Sequence, residues 1–205
     1  MMSWDIGVDE AGRGPLAGPV CAAAVSLTGV SQDWGLADSK RLSARRRAIL
    51  EPQIQCGAAA FGIGWASVDE IDQHNILVAT CMAMSRAVRS CQLVICRDHD
   101  AAAQLRVQVD GSIHPGRYVV PEDWPWETQT HIGGDGFIDA ISAASILAKV
   151  ARDRLMNRLD QEHPGYGFAQ HLGYGTKAHL QALREHGPSP IHRRTFRPVS
   201  EWRQA

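Results

Sequence analysis

Alternating hydrophobic and polar residues predict several β-strands along the chain. Between Trp4 and Asp9 the hydrophobic side chains Ile6 and Val8 share one face, so Asp9 falls on the opposite, polar face. Three more segments have the composition of strands: 18–27, 58–66 and 105–110. Only a tight, glycine-rich turn separates the first two strands, which predicts an antiparallel hairpin.

Hydrophobic residues that recur at intervals of three and four predict four helices: 44–50, 68–88, 141–159 and 177–186. Ser43 is the expected N-cap of the first helix, and we expect Pro52 to kink or end it. An interruption of the second helix is expected near Asn75, and segment 111–130, rich in proline and tryptophan, receives no assignment. Strands that form a hairpin and then alternate with helices indicate an α/β domain with a mixed sheet.

The composition is that of one globular domain. With 205 residues, 44% of them hydrophobic, the chain can bury a substantial core. It has no basic leader, and no stretch reaches the roughly 20 apolar residues that span a bilayer. Its five cysteines lack C-x-x-C spacing, which favours small, buried free thiols over a disulfide framework or a zinc site. We therefore expect a soluble, cytoplasmic protein.

Charge is distributed unevenly along the chain, although the formal net charge is only −1. Residues 1–140 contain 11 Lys and Arg against 17 Asp and Glu, whereas residues 141–205 contain 10 against 5 and five histidines. This division is typical of an acidic catalytic centre combined with a basic surface for a polyanion. An accidental distribution of solvated surface charge would look the same.

Acidic residues stand where predicted strands end or a helix begins. Asp9 and Glu10 precede a tight turn, Asp110 ends another strand, and Asp135 lies just before the long helix. Each alone has an ordinary explanation as a turn or helix-start residue. Together they indicate a divalent-cation site, because clustered carboxylates repel one another unless cations hold them, and Mg²⁺ prefers oxygen ligands.

A series of motifs, in order along nearly the whole chain, resembles the ribonuclease HII (type 2 ribonuclease H) family. The motifs are G-V-D-E-A-G-R-G-P at 7–15, D-S-K-R-L-S at 38–43, D-G at 110–111, G-D at 134–135, I-S-A-A-S-I-L-A-K-V at 141–150 with R-D at 152–153, and G-Y-G-T-K at 173–177. A single D-E pair would carry no weight, but this ordered series is specific.

The resemblance implies a ribonuclease H-like fold, a five-stranded mixed sheet flanked by helices. It implies a catalytic domain at 1–160 and a helical C-terminal extension at 161–205 that completes the substrate site. It also implies two Mn²⁺ or Mg²⁺ ions and four catalytic metal ligands: Asp9, Glu10, Asp110 and Asp135. Asp139 competes for the fourth place, and Asp135 is favoured because it occupies the acidic place of the family's G-D dipeptide. Gly134 replaces a lysine that many relatives carry, which leaves the metal affinity open.

The resemblance also implies substrate-binding residues. The turn Gly12-Arg13-Gly14 would bring the backbone close to a ribose 2′-hydroxyl, the group that distinguishes RNA from DNA, and Arg13 would hold a phosphate. Tyr174 matches the family tyrosine that stacks on the sugar at the RNA-to-DNA junction. Six further residues are expected to contact the nucleic acid: Ser39, Lys40, Ser43, Asn75, Ser145 and Lys149.

Polar residues of the long helix recur at intervals of three and four and are expected to form one stripe suited to a phosphate backbone: Ser142, Ser145, Lys149 and Arg152. A solvated amphipathic face would look the same. Hydrophobic residues on the opposite side are expected to face the core: Ala143, Ile146, Leu147 and Val150.

The activity implied is that of an endoribonuclease that cuts the RNA strand of RNA/DNA hybrids. It would also cut 5′ of single ribonucleotides in duplex DNA by two-metal hydrolysis, leaving 5′-phosphate and 3′-hydroxyl ends, as ribonucleotide removal from DNA requires. Two alternatives stay open: a type 3 ribonuclease H, which usually carries an N-terminal extension, and a catalytically silent nucleic-acid-binding module. We expect a monomer without membrane association, and the sequence identifies no protein partner.

Overall fold

One mixed β-sheet organises the computed structural model, which describes residues 3–28, 34–36, 42–99 and 103–202. Its strands are β1 Ser3–Ala11, β2 Val20–Ser26, β3 Ala60–Ala66, β4 Gln104–Asp110 and β5 Glu127–His131. They lie in the order β3-β2-β1-β4-β5. The pairs β1–β2 and β2–β3 are antiparallel, whereas β4 is parallel to β1 and β5 is parallel to β4. The predicted hairpin and the five-stranded mixed sheet are confirmed.

The α-helices of the described residues are α1 Ala44–Gly57, α2 Val68–Asp98, α3 Asp139–Glu162, α4 Phe168–His171 and α5 Lys177–His186. Ser43 caps α1 as predicted, since its hydroxyl accepts a hydrogen bond from the Arg46 amide at 3.2 Å. Pro52 does not end this helix, which continues to Gly57. Leu50 and Ile54, on either side of the proline, are fully buried. Their packing offsets the backbone hydrogen bond that proline cannot donate.

Helix α2 consists of two helical segments joined at Asn75. This residue has a left-handed φ of 69°, which confirms the predicted interruption. Its side-chain oxygen accepts hydrogen bonds from the amides of Leu77 and Val78, at 2.9 and 3.1 Å, so Asn75 caps the second segment. That segment ends at Asp98, beyond the predicted end at Val88.

Helices cover both faces of the sheet. Hydrophobic residues of α2 pack with Ile6 and Val8 of β1 on one face. On the other face α1 and α3 pack against β2, where Ala23 and Val25 are fully buried. The predicted core-facing residues of α3 all lie in or against this second cluster: Ala143, Ile146, Leu147 and Val150.

Segment 111–130, which the sequence left unassigned, contains short 3-10 turns and most of β5. Trp124 is buried against the α2 side of the core, and its indole donates a hydrogen bond to Thr128 at 2.8 Å. Trp126 packs beside it and donates to Gln92 of α2 at 3.2 Å. The tryptophans therefore attach this segment to α2.

The predictions from composition concern membrane-spanning segments and the state of the cysteines. No helix within the described ranges is both long and apolar enough to cross a membrane. All five cysteines are free thiols, as predicted. Cys21, Cys81 and Cys91 are buried, but Cys56 is exposed, so the expectation of burial was wrong for that residue.

Close packing of α2 on β3 gives a testable prediction at Gly64. A Cβ there would lie 2.1 Å from the Ala83 carbonyl oxygen, which belongs to the helix backbone. Gly64→Ala should therefore lower the free energy of unfolding by at least about 2 kcal/mol. Gly136→Ala is the control, since a Cβ at Gly136 meets nothing within 4 Å. Urea unfolding measures both, and equal stability of the two variants would contradict this packing.

Candidate active site

Three aspartates from distant parts of the sequence meet at one end of the sheet. Carboxylate oxygens of Asp9, Asp110 and Asp135 all lie within 4.8 Å of one another. Val8 pairs with Val109 in the parallel register of β1 and β4, so the next residues, Asp9 and Asp110, lie at the same level of the sheet. Asp135 is buried in a short 3-10 turn between β5 and α3.

Burial and mutual repulsion make this cluster electrostatically unfavourable without a cation. Removal from water raises the pKa of Asp9 to about 7, and the neighbouring charge of Glu10 adds to the effect. A hydrogen bond from Ser145 and the charge of Lys149 oppose it. Burial likewise raises the pKa of Glu10, while Arg13 opposes the shift. The ionised forms of these acids therefore need positive charge nearby.

The donor set fits a hard divalent cation. Oδ1 of Asp110 is buried and has no hydrogen-bond partner among the described residues, so a lone pair that burial has removed from water is left unsatisfied. The three carboxylates lie at distances that one or two small cations can share. Asp9, Asp110 and Asp135 are thus the residues that would hold Mn²⁺ or Mg²⁺. Asp139, the competitor for the fourth place, is exposed and outside this group.

Glu10 faces a different part of the site. Successive residues of a strand point to opposite faces, and the carboxylate of Glu10 does not belong to the 4.8 Å group. It forms an ion pair with Arg13 at 3.4 Å. Glu10 still lines the same cavity as Asp9 and Asp110, so its predicted role as a ligand stays a prediction.

A cavity of about 490 Å³ joins the acidic cluster to the C-terminal segment. Asp9, Gly12 and Asp110 line it from the end of the sheet where the aspartates meet, and Tyr174 lines it from the loop before α5. Arg47 also lines the cavity, and its guanidinium lies 3.7 Å from the Asp153 carboxylate. The sequence had indicated Arg47 only as part of a helix. A larger cavity of about 800 Å³ near Trp202 is lined by none of the four predicted metal ligands.

The predicted polar stripe of α3 is only partly correct. Ser142, Ser145 and Arg152 are buried rather than presented to solvent. Ser145 hydrogen-bonds to Asp9 and accepts from Lys149, which lines the cavity. Arg152 donates to the carbonyls of Pro19 at 3.0 Å, Leu172 at 3.0 Å and Ala17 at 3.2 Å. Its guanidinium therefore connects loops of the protein, which overturns the expectation that it faces phosphates.

A buried arginine that the sequence reading missed holds the turn Gly12-Arg13-Gly14. The Arg193 guanidinium donates to the carbonyl oxygens of Gly12 at 2.6 Å and Arg13 at 2.9 Å, and twice to Gly18 at 2.9 and 2.8 Å. Burial lowers the pKa of Arg193 to about 9, because the charged form is removed from water, and repulsion by the like charge of Arg152 adds to the effect. No local pattern could have indicated a partner about 180 residues away along the chain.

Tyr174 lies next to this turn. Its side chain is 47% exposed, and its Cε1 is 3.6 Å from the position of a Cβ built on Gly14. An exposed ring beside a glycine whose backbone is open on that side can stack on a sugar or base. Gly12 has a φ of 94°, and a Cβ there would lie 1.9 Å from Nε of Arg152, so only glycine fits.

Four other residues are predicted to contact nucleic acid: Ser39, Lys40, Ser43 and Asn75. Ser39 and Lys40 lie outside the described residues. Ser43 and Asn75 are exposed and serve as helix caps, which leaves their predicted contacts with nucleic acid untested.

Comparisons with known proteins agree over most of the chain. The family model for ribonuclease HII matches residues 6–199. Ribonuclease HII of Erythrobacter litoralis is 52% identical over 198 residues, covering 95% of this chain and 88% of the relative. The crystal structure of ribonuclease H2 from Pyrococcus horikoshii superposes with a TM-score of 0.73 at 25% identity, covering 97% of this chain and 96% of the other.

The same fold occurs in a Bst ribonuclease HIII solved in complex with Mn²⁺, with a TM-score of 0.72, 16% identity, and coverage of 97% of this chain and 68% of the other. The fold alone therefore does not separate type 2 from type 3 enzymes. The family model and the identity of about half the residues do separate them. The chain belongs to the ribonuclease HII family, whose members are metal-dependent endonucleases.

Proposed function

We propose that this protein cuts the RNA strand of RNA/DNA hybrids and cuts duplex DNA on the 5′ side of single embedded ribonucleotides. One observation carries the proposal: a single cavity is lined by Asp9 and Asp110 of the acidic cluster, by Gly12 of the glycine turn and by Tyr174. The first can hold catalytic cations, the second can approach a 2′-hydroxyl, and the third can stack on the neighbouring sugar. Together they would place a ribose junction at the reacting centre.

In the proposed reaction, water attacks the scissile phosphorus and the bond from phosphorus to the 3′-oxygen breaks, leaving 5′-phosphate and 3′-hydroxyl ends. Two divalent ions held by Asp9, Glu10, Asp110 and Asp135 would supply water activation and Lewis acidity. Lys149 and Arg13 would bind phosphates, and Ser145 would orient Asp9. Either Mn²⁺ or Mg²⁺ suits these oxygen ligands, and the Mn²⁺ complex of the related type 3 enzyme supports the choice.

The remaining substrate contacts belong to the same proposal. Gly12 and Gly14 would admit the ribose, while Ser39, Lys40, Ser43 and Asn75 would contact the nucleic-acid backbone or minor groove. The segment 161–205 would act as an extension that completes this site, because it supplies both Tyr174 and Arg193.

Removal of a single carboxylate charge from the cluster tests the metal site. Asp9→Asn and Asp110→Asn should each lower the cleavage rate on the order of 100-fold or more, since an amide is a poor ligand for a hard cation. Asp135→Asn should have a similar effect, and the exposed Asp139→Asn should be near wild type. The assay is cleavage of an end-labelled duplex with one ribonucleotide, in Mg²⁺ or Mn²⁺ and with chelator. Loss of activity in Asp139→Asn but not in Asp135→Asn would reverse the assignment.

The stacking role of Tyr174 predicts a selective defect. Tyr174→Ala should lower cleavage at a single ribonucleotide about 10- to 100-fold, the value of one stacking contact. Tyr174→Phe keeps the ring and should retain most of the activity. A long RNA/DNA hybrid, cut in parallel, should be affected less, because it offers many sites. Equal losses on both substrates would argue against junction sensing.

A substitution at Gly14 tests whether this glycine is needed for substrate binding rather than for folding. A methyl group at Gly14 would make only ordinary contact with Tyr174, so Gly14→Ala should leave the melting temperature unchanged. The same methyl group would obstruct a ribose between the turn and the ring, so single-ribonucleotide cleavage should fall about 10-fold. Thermal unfolding and the duplex assay together check this. A parallel loss of stability would show that the fold itself requires this glycine.

A further inference from the structure

Three buried histidines lie beneath the loop that carries Tyr174, and the proposed reaction uses none of them. His179 and His192 are 0% and 1% exposed, and His171 is 9% exposed. The rings of His171 and His179 stack with centroids 4.4 Å apart, and Nε2 of His179 lies 3.0 Å from Nε2 of His192. Polar rings buried this deeply need defined hydrogen bonds.

The partners of these rings determine where each proton resides. Nδ1 of His179 lies 2.9 Å from the Tyr174 carbonyl oxygen, which can only accept, so this nitrogen donates. In a neutral ring Nε2 of His179 then carries no proton and accepts from Nε2 of His192. Nδ1 of His192 in turn accepts from the Ser189 amide at 2.9 Å. The hydrogen bonds therefore run in one direction, from Ser189 through the neutral rings of His192 and His179 to Tyr174. We call this chain of hydrogen bonds the relay.

His171 holds the other side of the same loop. Its Nε2 donates to the Tyr166 carbonyl oxygen at 2.8 Å, and its Nδ1 accepts from the Gly173 amide at 3.3 Å. Its own carbonyl oxygen accepts from the Tyr174 amide at 2.8 Å. Backbone groups of Gly173 and Tyr174 are thus fixed by histidines, although the Tyr174 ring itself extends to solvent.

We propose that His179, supported by His192, is a positioning residue for Tyr174, and that its grip on the Tyr174 carbonyl aims the exposed ring at the ribose junction. This inference rests on the proposed function, because it assigns the histidines to junction sensing rather than to the acidic cluster. The relay works only while both rings are neutral. A second proton on Nε2 of His179 would place two N–H groups face to face across the 3.0 Å contact. A second proton on Nδ1 of His192 would instead oppose the Ser189 amide N–H at 2.9 Å.

The surroundings of the relay favour the neutral state. Burial, followed by the charge that His179 would carry, lowers the pKa of His192 to about 4, and burial lowers the pKa of His179. The titratable groups that face the relay come from several elements: His163, Tyr166 and His171. The folded protein therefore binds fewer protons here than the unfolded chain, and the stability of the loop should fall as pH decreases from about 6.5.

A pair of amide variants tests the grip on Tyr174. The side-chain amide of Asn occupies the place of Nδ1, so His179→Asn keeps a donor for the Tyr174 carbonyl, whereas His179→Gln moves its amide toward His192. His179→Gln should lower single-ribonucleotide cleavage about 10-fold with cleavage of a long hybrid nearly unchanged, and His179→Asn should retain most of both. In the Tyr174→Ala background His179→Gln should cause no further loss. Proportional losses on both substrates, or a loss that persists without the tyrosine ring, would overturn the proposal.

Long-range ¹H–¹⁵N spectra of the wild-type histidines test the relay without any cleavage. His179 should carry its proton on Nδ1 and His192 on Nε2, with both rings neutral at pH 7 and above. The opposite tautomers, or a charged ring at pH 7, would overturn the relay. If the wild-type protein has these tautomers but does not cut at a single ribonucleotide, the proposed function is wrong. The relay would then still position the exposed tyrosine, but for a ligand other than a ribose junction.

Discussion

The mutual repulsion of closely spaced carboxylates is the constraint around which the site is built. Asp9, Asp110 and Asp135 lie within 4.8 Å of one another, and burial raises the pKa of Asp9 to about 7. Such a cluster is unfavourable alone, so the fold must hold it in place at a cost in stability. The parallel register of β1 and β4 fixes two of the acids in rigid backbone, and α3 supplies the opposing charge of Lys149.

Much of this could be predicted from the sequence because the relevant signals are local. Alternation in β1 and β4 placed Asp9 and Asp110 on polar faces at strand ends, and the periodicity of α3 correctly separated its core residues. Strand β5 escaped prediction because its sequence, E-T-Q-T-H, is polar and lies at the edge of the sheet, where no hydrophobic alternation is required. Pro52 does not end α1, because burial of its neighbours Leu50 and Ile54 outweighs the local preference of proline.

The burial of two arginines could not be predicted from local sequence patterns. Arg152 and Arg193 belong to a basic C-terminal third that resembles a surface for a polyanion, yet both are almost fully buried. Their partners are backbone carbonyls more than 100 residues away, apart from Leu172. A guanidinium has five donors and so can satisfy several carbonyls of an irregular loop at once. Part of the positive charge in the C-terminal third therefore lies inside the protein, where it binds backbone carbonyls, and does not form an exposed basic surface.

Backbone hydrogen bonds also join the residues beyond 161 to the segment that follows the glycine turn. The Leu16 amide donates to the Gly173 carbonyl at 2.8 Å, and the Arg193 amide donates to the Leu16 carbonyl at 2.8 Å. The segment after the glycine turn is therefore hydrogen-bonded on both sides by residues beyond 161. Since Arg193 also holds Gly12 and His179 holds Tyr174, the turn and the tyrosine share one support. A change in that support would move both groups together, while the acids on β1 and β4 stay fixed by the sheet. In this architecture the proposed recognition of the ribose and the proposed hydrolysis can therefore vary separately.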